Sequence, residues 1–599
     1  MKYPTLQKLN TSRQMIDVFG GYNHNLRIND GEFYHMNNLT SSDYPVLSPR
    51  QQRGIYLSEG DPQGMIAKDV LCYVDNVVAD HAEGARFFIN GKSPKNMFSL
   101  SSKKEDCPKN LVSMGVYVII MPDKKWVNTQ TLEYGNIEQT VVTQGKATFE
   151  LCKVGGEVYS AKFKQSTEPT EGVENMDLWM DTSSTPPVLK MYSSTSGIWT
   201  SVATTYIKIS FPNDFSELNP LTKLFSEGDG VTISGITVSG LSDLNSTLVL
   251  AAVGSNYIVV TGILAGEEVA QDEAITIERK MPNMDFIVES ENRLWGCRYG
   301  VALNGEVVNE IYASKLGDFK NWNCFAGLST DSYVASLGTD GQFTGAITHL
   351  GHPLFFKENC LHKVYGNYPS NYQIVTTACR GVQKGSEKSL AIVNEILYYK
   401  ARSAVCAYDG SLPTEVSAAL GDASYSNAVA GVLGNKYYIS MSDESEEYHL
   451  FVYDTAKGMW HREDDTQAAE FCNCRGDLYY IDYADKQIKT VRGTGTLDTA
   501  LVKWEAITGV FGTDSPDKKY ISRIDVRLLL SVGASVTFYA EYDSSGEWEY
   551  LYSKTGTTLC SFAIPMRPKR CDHMRLKITG SGDAKIYSIC KTIEQGSDY

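Results

Sequence analysis

The pattern of hydrophobic and polar positions along this 599-residue chain is that of short strands joined by tight turns. Apolar and aromatic runs alternate with turns rich in glycine, asparagine and aspartate, and no stretch sustains the spacing of an amphipathic helix. Four segments repeat one order of elements, in which an aromatic strand lies between two turns and two further strands. The aromatic strands begin at positions 354, 397, 436 and 478, which are 43, 39 and 42 residues apart.

This spacing predicts the blades of a β-propeller, because a four-stranded blade takes about 40–50 residues. A solenoid of the same period would normally be helical. The turns before the aromatic strands carry turn formers such as Gly351-His352-Pro353 and Gly434-Asn435. Three further blade centres are predicted near residues 71, 117 and 294. Seven candidates in all predict a propeller of six to eight blades.

The blade period breaks between the second and third candidates, where residues 140–282 hold long β-rich stretches with different turns. We interpret this segment as a β-domain inserted into a propeller loop, since exposed connections tolerate insertions. After residue 498 several short strands predict a β-sandwich of about 100 residues. The predicted all-β fold comprises a segment leading into the propeller (1–60), the first blades (61–139), the inserted domain (140–282), the remaining blades (283–498) and a C-terminal β-sandwich (499–599).

Composition and charge narrow the classes of function. The 36 tyrosines favour sheet, and the net charge of −16 argues against a general nucleic-acid binder, which needs a basic surface. The N-terminus has no apolar core of a signal peptide, and no window is long and apolar enough for a membrane span. The 13 cysteines follow no framework and are predicted to be mostly free, buried thiols.

The residue motifs of the chain favour no catalytic site. A glycosidase needs two carboxylates at a set distance, and residues 463–465, Asp482 and Asp485 are the candidates. Runs of acids are more often solvated loops, and the chain has neither a Gly-x-Ser-x-Gly elbow nor a phosphate-binding glycine loop. His349, His352 and His362 could form a metal cluster, but packing within a blade is the favoured interpretation. The sequence therefore predicts a protein that is not an enzyme and needs no cofactor or metal.

The N-terminal stretch carries a distinctive string of motifs. It contains Phe19-Gly20-Gly21, Asp30-Gly31-Glu32-Phe33, Met36-Asn37-Asn38-Leu39, Asp43-Tyr44-Pro45-Val46-Leu47, Ser48-Pro49-Arg50 and Arg53-Gly54. This string resembles the opening of tail proteins of short-tailed bacteriophages, of the packaged-DNA stabilisation, tail-hub or nozzle type. Blade segments at 311–314, 317–318, 321–322, 340–341, 354–357 and 408–410 are similar to the same family.

The resemblance implies a structural virion protein of the phage tail, assembled in the bacterial host cytoplasm. It implies a homo-oligomer, a hexameric ring around the DNA exit channel, that contacts the portal or adaptor and other tail proteins. Such a ring would retain packaged DNA, touch the genome transiently and without sequence specificity, and let it pass at ejection. An acidic channel wall would repel phosphates and let DNA slide, so we expect part of the negative charge there.

Under the same resemblance, Phe19, Gly20, Gly21, Arg50 and Arg53 are candidate residues for docking on a neighbour or an adaptor ring. The alternative is that this segment only leads into the first blade and that its arginines are solvated.

Two other functions remain open on the sequence. One is a receptor- or carbohydrate-binding propeller at the tail tip, in which exposed aromatics such as Trp179, Trp199 and Trp548 stack on sugars. The same tryptophans could equally belong to the core, which is the commoner fate. A glycan-degrading enzyme is the least supported function.

Overall fold

A computed structural model describes residues 11–76, 84–94, 97, 99–102, 108–264, 268–301, 305–497, 500–513 and 517–595. Nearly all regular structure is β-strand. The exceptions are single 3₁₀ turns at Leu221–Lys223, Ser242–Leu244, Pro369–Asn371, Glu387–Ser389 and Ala418–Leu420. The predicted fold class is confirmed: the chain is an all-β propeller protein with an inserted β-domain and a C-terminal β-sandwich.

The chain forms two compact units. The first comprises Met1–Leu111, Gly341–Lys363 and Thr376–Tyr599, and the second comprises Val112–Asp340 and Val364–Val375.

The N-terminal residues supply six strands. They are β1 (Thr11–Ile16), β2 (Gly21–Tyr22), β3 (Glu32–Asn37), β4 (Leu39–Thr40), β5 (Ser48–Pro49) and β6 (Gly54–Leu57). The first two blade sheets follow, with strands β7 (Pro62–Lys68), β8 (Val70–Asp75), β9 (Arg86–Ile89), β10 (Asn110–Met114), β11 (Tyr117–Met121), β12 (Lys125–Asn128) and β13 (Tyr134–Asn136).

The inserted region forms three sheets whose described strands pair only with one another. Its strands are β14 (Gln139–Val142), β15 (Ala147–Cys152), β16 (Phe163–Gln165), β17 (Leu178–Asp181), β18 (Val188–Ser193), β19 (Ile198–Ser201), β20 (Tyr206–Ser210), β21 (Gly230–Ser234), β22 (Thr247–Val249), β23 (Ala252–Val253), β24 (Tyr257–Thr261), β25 (Glu268–Gln271) and β26 (Thr276–Arg279). Alternate residues such as Ile207 and Ile209 of β20 point into a common core, as the period of two in a strand requires.

The remaining blades carry twenty strands. They are β27 (Phe286–Ser290), β28 (Arg293–Val301), β29 (Val307–Ala313), β30 (Tyr333–Ser336), β31 (Phe343–His349), β32 (His352–Lys357), β33 (Cys360–Tyr365), β34 (Gln373–Ala378), β35 (Ala391–Val393), β36 (Ile396–Lys400), β37 (Val405–Tyr408), β38 (Thr414–Glu415), β39 (Ser426–Leu433), β40 (Lys436–Ser442), β41 (Tyr448–Asp454), β42 (Met459–Arg462), β43 (Ala468–Cys474), β44 (Asp477–Asp482), β45 (Gln487–Thr490) and β46 (Thr496–Leu497). The seven predicted blade centres lie on β8, β11, β28, β32, β36, β40 and β44, each the second strand of its blade.

The C-terminal strands complete the chain. They are β47 (Lys503–Thr508), β48 (Lys519–Leu530), β49 (Ser535–Tyr542), β50 (Glu549–Thr555), β51 (Cys560–Ala563), β52 (Arg570–Cys571), β53 (Met574–Ser581) and β54 (Ala584–Gln595). One sheet has the order β1-β54-β48-β51, with β52 paired to β48. Buried residues alternate along β48, which is the signature of a sheet with one solvated face.

The N-terminal segment ties the first unit together instead of only leading into the propeller. The blade sheet β39-β40-β41-β42 continues through β2 and β3 into β47-β53-β49-β50, which makes ten strands in one sheet. Strand β1 pairs with β54, and β6 pairs with β45 to complete the last blade. Trp460 of the blade, Phe33 of β3 and Phe538 of the sandwich consequently belong to one hydrophobic core.

Candidate functional site

Arg53 lies at the centre of a buried cluster of charges in the first unit. Its Nη2 contacts Glu463 Oε2 at 3.0 Å and Asp464 Oδ2 at 2.9 Å. Its Nη1 donates to Thr466 Oγ1 at 2.6 Å and to the Tyr480 hydroxyl at 3.0 Å. The pairing of β6 with β45 fixes the backbone just after Arg53, so this guanidinium is held where the last two blades meet the N-terminal segment.

The cluster is electrostatically balanced at neutral pH. Burial alone would raise the pKa of Asp464, but the guanidinium groups of Arg53 and Arg50 hold it below its usual value. Burial alone would lower the pKa of Arg53, yet Asp464, Tyr480 and Glu463 raise it well above the ordinary value. Arg50 joins the cluster through Asp464 Oδ2 at 3.3 Å. Asp464 and Arg53 therefore stay ionised together.

A polar cavity of about 520 Å³ lies beside this cluster, around the turn that joins β39 to β40. We call it the blade cavity. Its walls come from β4, the segment before β6, the β40 hairpin and the end of the last blade. The lining residues are Thr40, Ser42, Arg50, Gln51, Leu433, Gly434, Asn435, Lys436, Tyr438, Asp454, Lys457, Glu463, Val491 and Arg492.

Asp454 is the most unusual group of the blade cavity. Its side chain is 2% exposed, and Oδ2 accepts hydrogen bonds from Ser41 Oγ at 2.5 Å and from Lys457 Nζ at 3.0 Å. Oδ1 is buried and has no hydrogen-bond partner in the described part of the chain. Burial would raise the pKa of Asp454, but Ser41 and Lys457 hold it below its ordinary value. Asp454 is thus an ionised acceptor with one free oxygen.

Lys436 places a cation in the same cavity. Its Nζ donates to Thr40 Oγ1 at 2.9 Å and to Ser42 Oγ at 3.1 Å. Burial lowers its pKa, an effect that Glu463 and Asp454 oppose. Four basic side chains and two carboxylates line the cavity, a balance of 4 − 2 = +2 in a chain of net charge −16.

The structure places the predicted docking residues inside the chain's own packing. Phe19 is buried and stacks on Phe33 with ring centroids 5.8 Å apart. Gly21 lies in β2 with φ +86°, and the Gly20 amide donates to Gly31 O at 2.8 Å. The alternative that Arg50 and Arg53 are solvated is wrong, because both are held in the buried cluster. Docking on a partner stays a prediction.

The predicted carboxylate candidates are held in ion pairs. Glu463 and Asp464 bind Arg53, and Asp465 binds Arg462. Asp482 and Asp485 both contact Lys489 Nζ.

The predicted histidines and tryptophans pack as follows. His349 and His362 are buried in the β31–β33 sheet, and burial lowers the pKa of His362 to about 4. Trp179 is buried, and Trp199 is half-buried against it with ring centroids 5.5 Å apart. Trp548 is half-buried, with Lys577 Nζ 5.3 Å from its ring.

The described residues contain no group of three or more histidine, cysteine, aspartate or glutamate side chains placed to hold a metal ion. Twelve of the 13 cysteines are described, none of them in a disulfide and eight of them buried, while Cys107 lies outside the described residues. None of the helical segments in the described ranges has the length and apolar character needed to cross a membrane.

The residues of the blade cavity could not be found from sequence spacing. Lys436, Asp454 and Arg492 belong to different strands and turns, and Thr40 lies about four hundred positions away in the chain. The one local signal is a lysine that opens a strand which is otherwise buried.

Comparisons with known proteins match folds only distantly. No family model and no curated protein matches the chain. The structure is similar to an exo-β-1,3-galactanase from Phanerochaete chrysosporium with galactose (9% identity, 51% of this chain and 94% of that one, TM-score 0.20). It is also similar to an arabinoxylan arabinofuranohydrolase from Bacillus subtilis (7%, 51% and 94%, TM-score 0.18). A Trypanosoma rangeli sialidase mutant with trans-sialidase activity matches over 97% of this chain and 96% of its own (9% identity, TM-score 0.18).

These matches contradict the prediction that the protein is not an enzyme, because the matched structures are those of a galactanase, an arabinofuranohydrolase and a sialidase. That prediction is withdrawn. TM-scores of 0.18 to 0.20 and identities of 7 to 9% assign no activity to this chain.

Proposed function

We propose that this protein is a carbohydrate-binding β-propeller and that the blade cavity receives the sugar. The observation that carries the proposal is the buried, ionised Asp454, a lining residue of this cavity whose Oδ1 has no hydrogen-bond partner among the described residues, beside four basic side chains. A buried acceptor without a partner costs about 1–3 kcal/mol, more when it is charged. A ligand hydroxyl that donates to Oδ1 removes this cost.

The chemistry of the lining matches that of a saccharide. Sugar hydroxyls both donate and accept, so one hydroxyl can donate to Asp454 while its neighbours accept from Lys436 and Arg492. The positive balance of the lining favours a saccharide with an acidic substituent over a neutral one.

We expect Asp454→Asn to weaken saccharide binding about tenfold, because a hydrogen bond to a charged group contributes about 1.5–3 kcal/mol. The measurement is a glycan array with the full chain, followed by isothermal titration calorimetry with the glycans that bind. Trp199→Phe is the matched control, since Trp199 packs outside this cavity. A full chain that binds no glycan, or binding that falls with Trp199→Phe and not with Asp454→Asn, would contradict the proposal.

A ring-forming tail protein of a bacteriophage is the second candidate. Two observations favour it: the resemblance of residues 19–54 to tail-hub and nozzle proteins, and the net charge of −16, which suits a channel wall that must not hold DNA. The two functions are compatible if the ring sits at the tail tip and its blades meet the host receptor.

Mass photometry of the purified chain, alone and with an isolated portal connector, tests the ring. We expect hexamers of this chain on the connector and loss of packaged DNA from particles that lack the protein. Monomers under both conditions, together with particles that keep their DNA, would contradict a ring.

A further inference from the structure

A second concave site lies on the outer face of the C-terminal sheet β1-β54-β48-β51, well apart in sequence from the blade cavity's lining. Register places Arg13 of β1 and Arg523 of β48 in one row, both opposite Thr592 of β54. Arg527 lies two rows further along, opposite Ser588 and Ser561. Three arginines thus share one face, because alternate residues of a strand point to the same side.

This outer face of the C-terminal sheet is concave because short side chains lie beside long ones. Ser588 of β54 and Ser561 and Ala563 of β51 are short and lie on the two strands beside β48, and together with the arginines they border a hollow of about 570 Å³. We call it the arginine hollow. Met15 of β1 lines it as well and is 64% exposed.

The arginine hollow has a surplus of positive charge. Asp525 is its single carboxylate, bound by Arg13 Nη2 at 3.1 Å and Arg523 Nη2 at 2.8 Å. Arg527 contacts a neutral group, donating from Nε to Ser561 Oγ at 3.0 Å. The balance is 3 − 1 = +2, and Arg527 forms no ion pair with any carboxylate of the described residues.

We propose that the arginine hollow binds the oxyanion group of an acidic saccharide, a carboxylate or a phosphate ester, as a second subsite of the proposed carbohydrate function, on which this inference rests. Guanidinium groups bind both oxyanions in bidentate fashion. The exposed Met15 offers apolar surface to the C–H face of a sugar ring. Duplex DNA fits less well, since the charge is confined to one hollow and the chain as a whole is acidic.

The test uses the full chain and tetragalacturonic acid, with maltotetraose as the neutral counterpart and calorimetry as the readout. Asp454→Asn is the background, because it weakens the blade cavity and leaves the hollow intact. In that background we expect Arg527→Ala to weaken binding of the acid about tenfold and Arg527→Lys to weaken it less, because lysine keeps the charge and loses the fork. Arg567→Ala removes an exposed arginine of the same domain outside the hollow and should leave affinity within about twofold.

The outcomes separate the two proposals. Binding that survives Asp454→Asn and is lost on adding Arg527→Ala supports the hollow. Binding abolished by Asp454→Asn alone overturns the hollow and keeps the blade cavity, whereas no binding of the acid by the native chain overturns the hollow and leaves the blade cavity to be judged by the glycan array. Inorganic phosphate should compete for the hollow, and a hollow that binds maltotetraose equally well, or a DNA duplex instead, overturns the inference.

Discussion

Replacing Arg53 by methionine is expected to lower the free energy of unfolding by about 3–5 kcal/mol, because it leaves the buried carboxylate of Glu463 without its cation and leaves Asp464 with Arg50 alone. Arg53 contacts both Glu463 and Asp464, and the Glu463 side chain is 3% exposed. Methionine keeps most of the side-chain length, so the loss reports charge rather than an empty cavity. Removing one partner of a buried ion pair costs far more than the pair contributes over a hydrophobic substitute.

The effect of Arg53→Met should depend on pH in a definite direction. In the native chain the pKa of Asp464 is depressed, so its contribution to stability is present above the unfolded pKa and is lost as pH falls through the folded one. Without Arg53 the pKa of Asp464 is depressed less, because only Arg50 and Thr466 then oppose the effect of burial. The difference in stability is therefore largest at neutral pH and shrinks as pH falls toward about 4, where unfolded carboxylates take up protons.

Urea unfolding followed by tyrosine and tryptophan fluorescence, at pH 7 and pH 4.5, measures both quantities. Arg567→Met is the control, because Arg567 is exposed on the C-terminal domain and should change stability by less than about 0.5 kcal/mol. A loss for Arg53→Met below about 1 kcal/mol, or a loss independent of pH, would mean that the cluster is not stabilised by this guanidinium.

Much of the propeller could be predicted from local pattern, because the central strand of each blade has a recognisable sequence of its own. The buried strand β44 carries Leu478-Tyr479-Tyr480 after the turn Gly476-Asp477, and the same order recurs at Leu397-Tyr398-Tyr399. A strand with apolar side chains and turn formers beside it can be recognised from the local sequence alone, without knowledge of the strands it pairs with.

The ties of the N-terminal segment could not be predicted in this way, because their partners lie at the other end of the chain. Ile16 pairs with Ile589, and Phe33 pairs with Thr508. A strand of two residues such as β2 has no periodicity at all. The buried charge cluster is another case of partners that lie far apart in the chain. The sequence motifs single out Arg50 and Arg53, but the run of acids at 463–465 has the pattern of a solvated loop, and only the folded chain brings it to the two arginines.

Gly21→Ala should be a strongly destabilising single-carbon change in the N-terminal segment, with an expected loss of about 3 kcal/mol of folding stability. Gly21 has φ +86°, a conformation that costs an L-residue roughly 1–2 kcal/mol. A Cβ there would lie 2.4 Å from the carbonyl oxygen of Trp460, a backbone atom of the adjoining strand that has no rotamer to escape into. Overpacking of this kind adds about 1–3 kcal/mol.

Gly20→Ala is the matched control, one residue away in the same motif. Its Cβ would meet Glu32 Cγ at 3.0 Å, and this side chain can shift. We expect a loss within about 1 kcal/mol. Thermal unfolding of the two variants measures the contrast, because β2 joins the blade strand β42 to β3 and so links the propeller sheet to the sandwich. If instead both variants keep native stability and fail only to assemble with a tail connector, Phe19-Gly20-Gly21 is a docking motif first and a structural tie second.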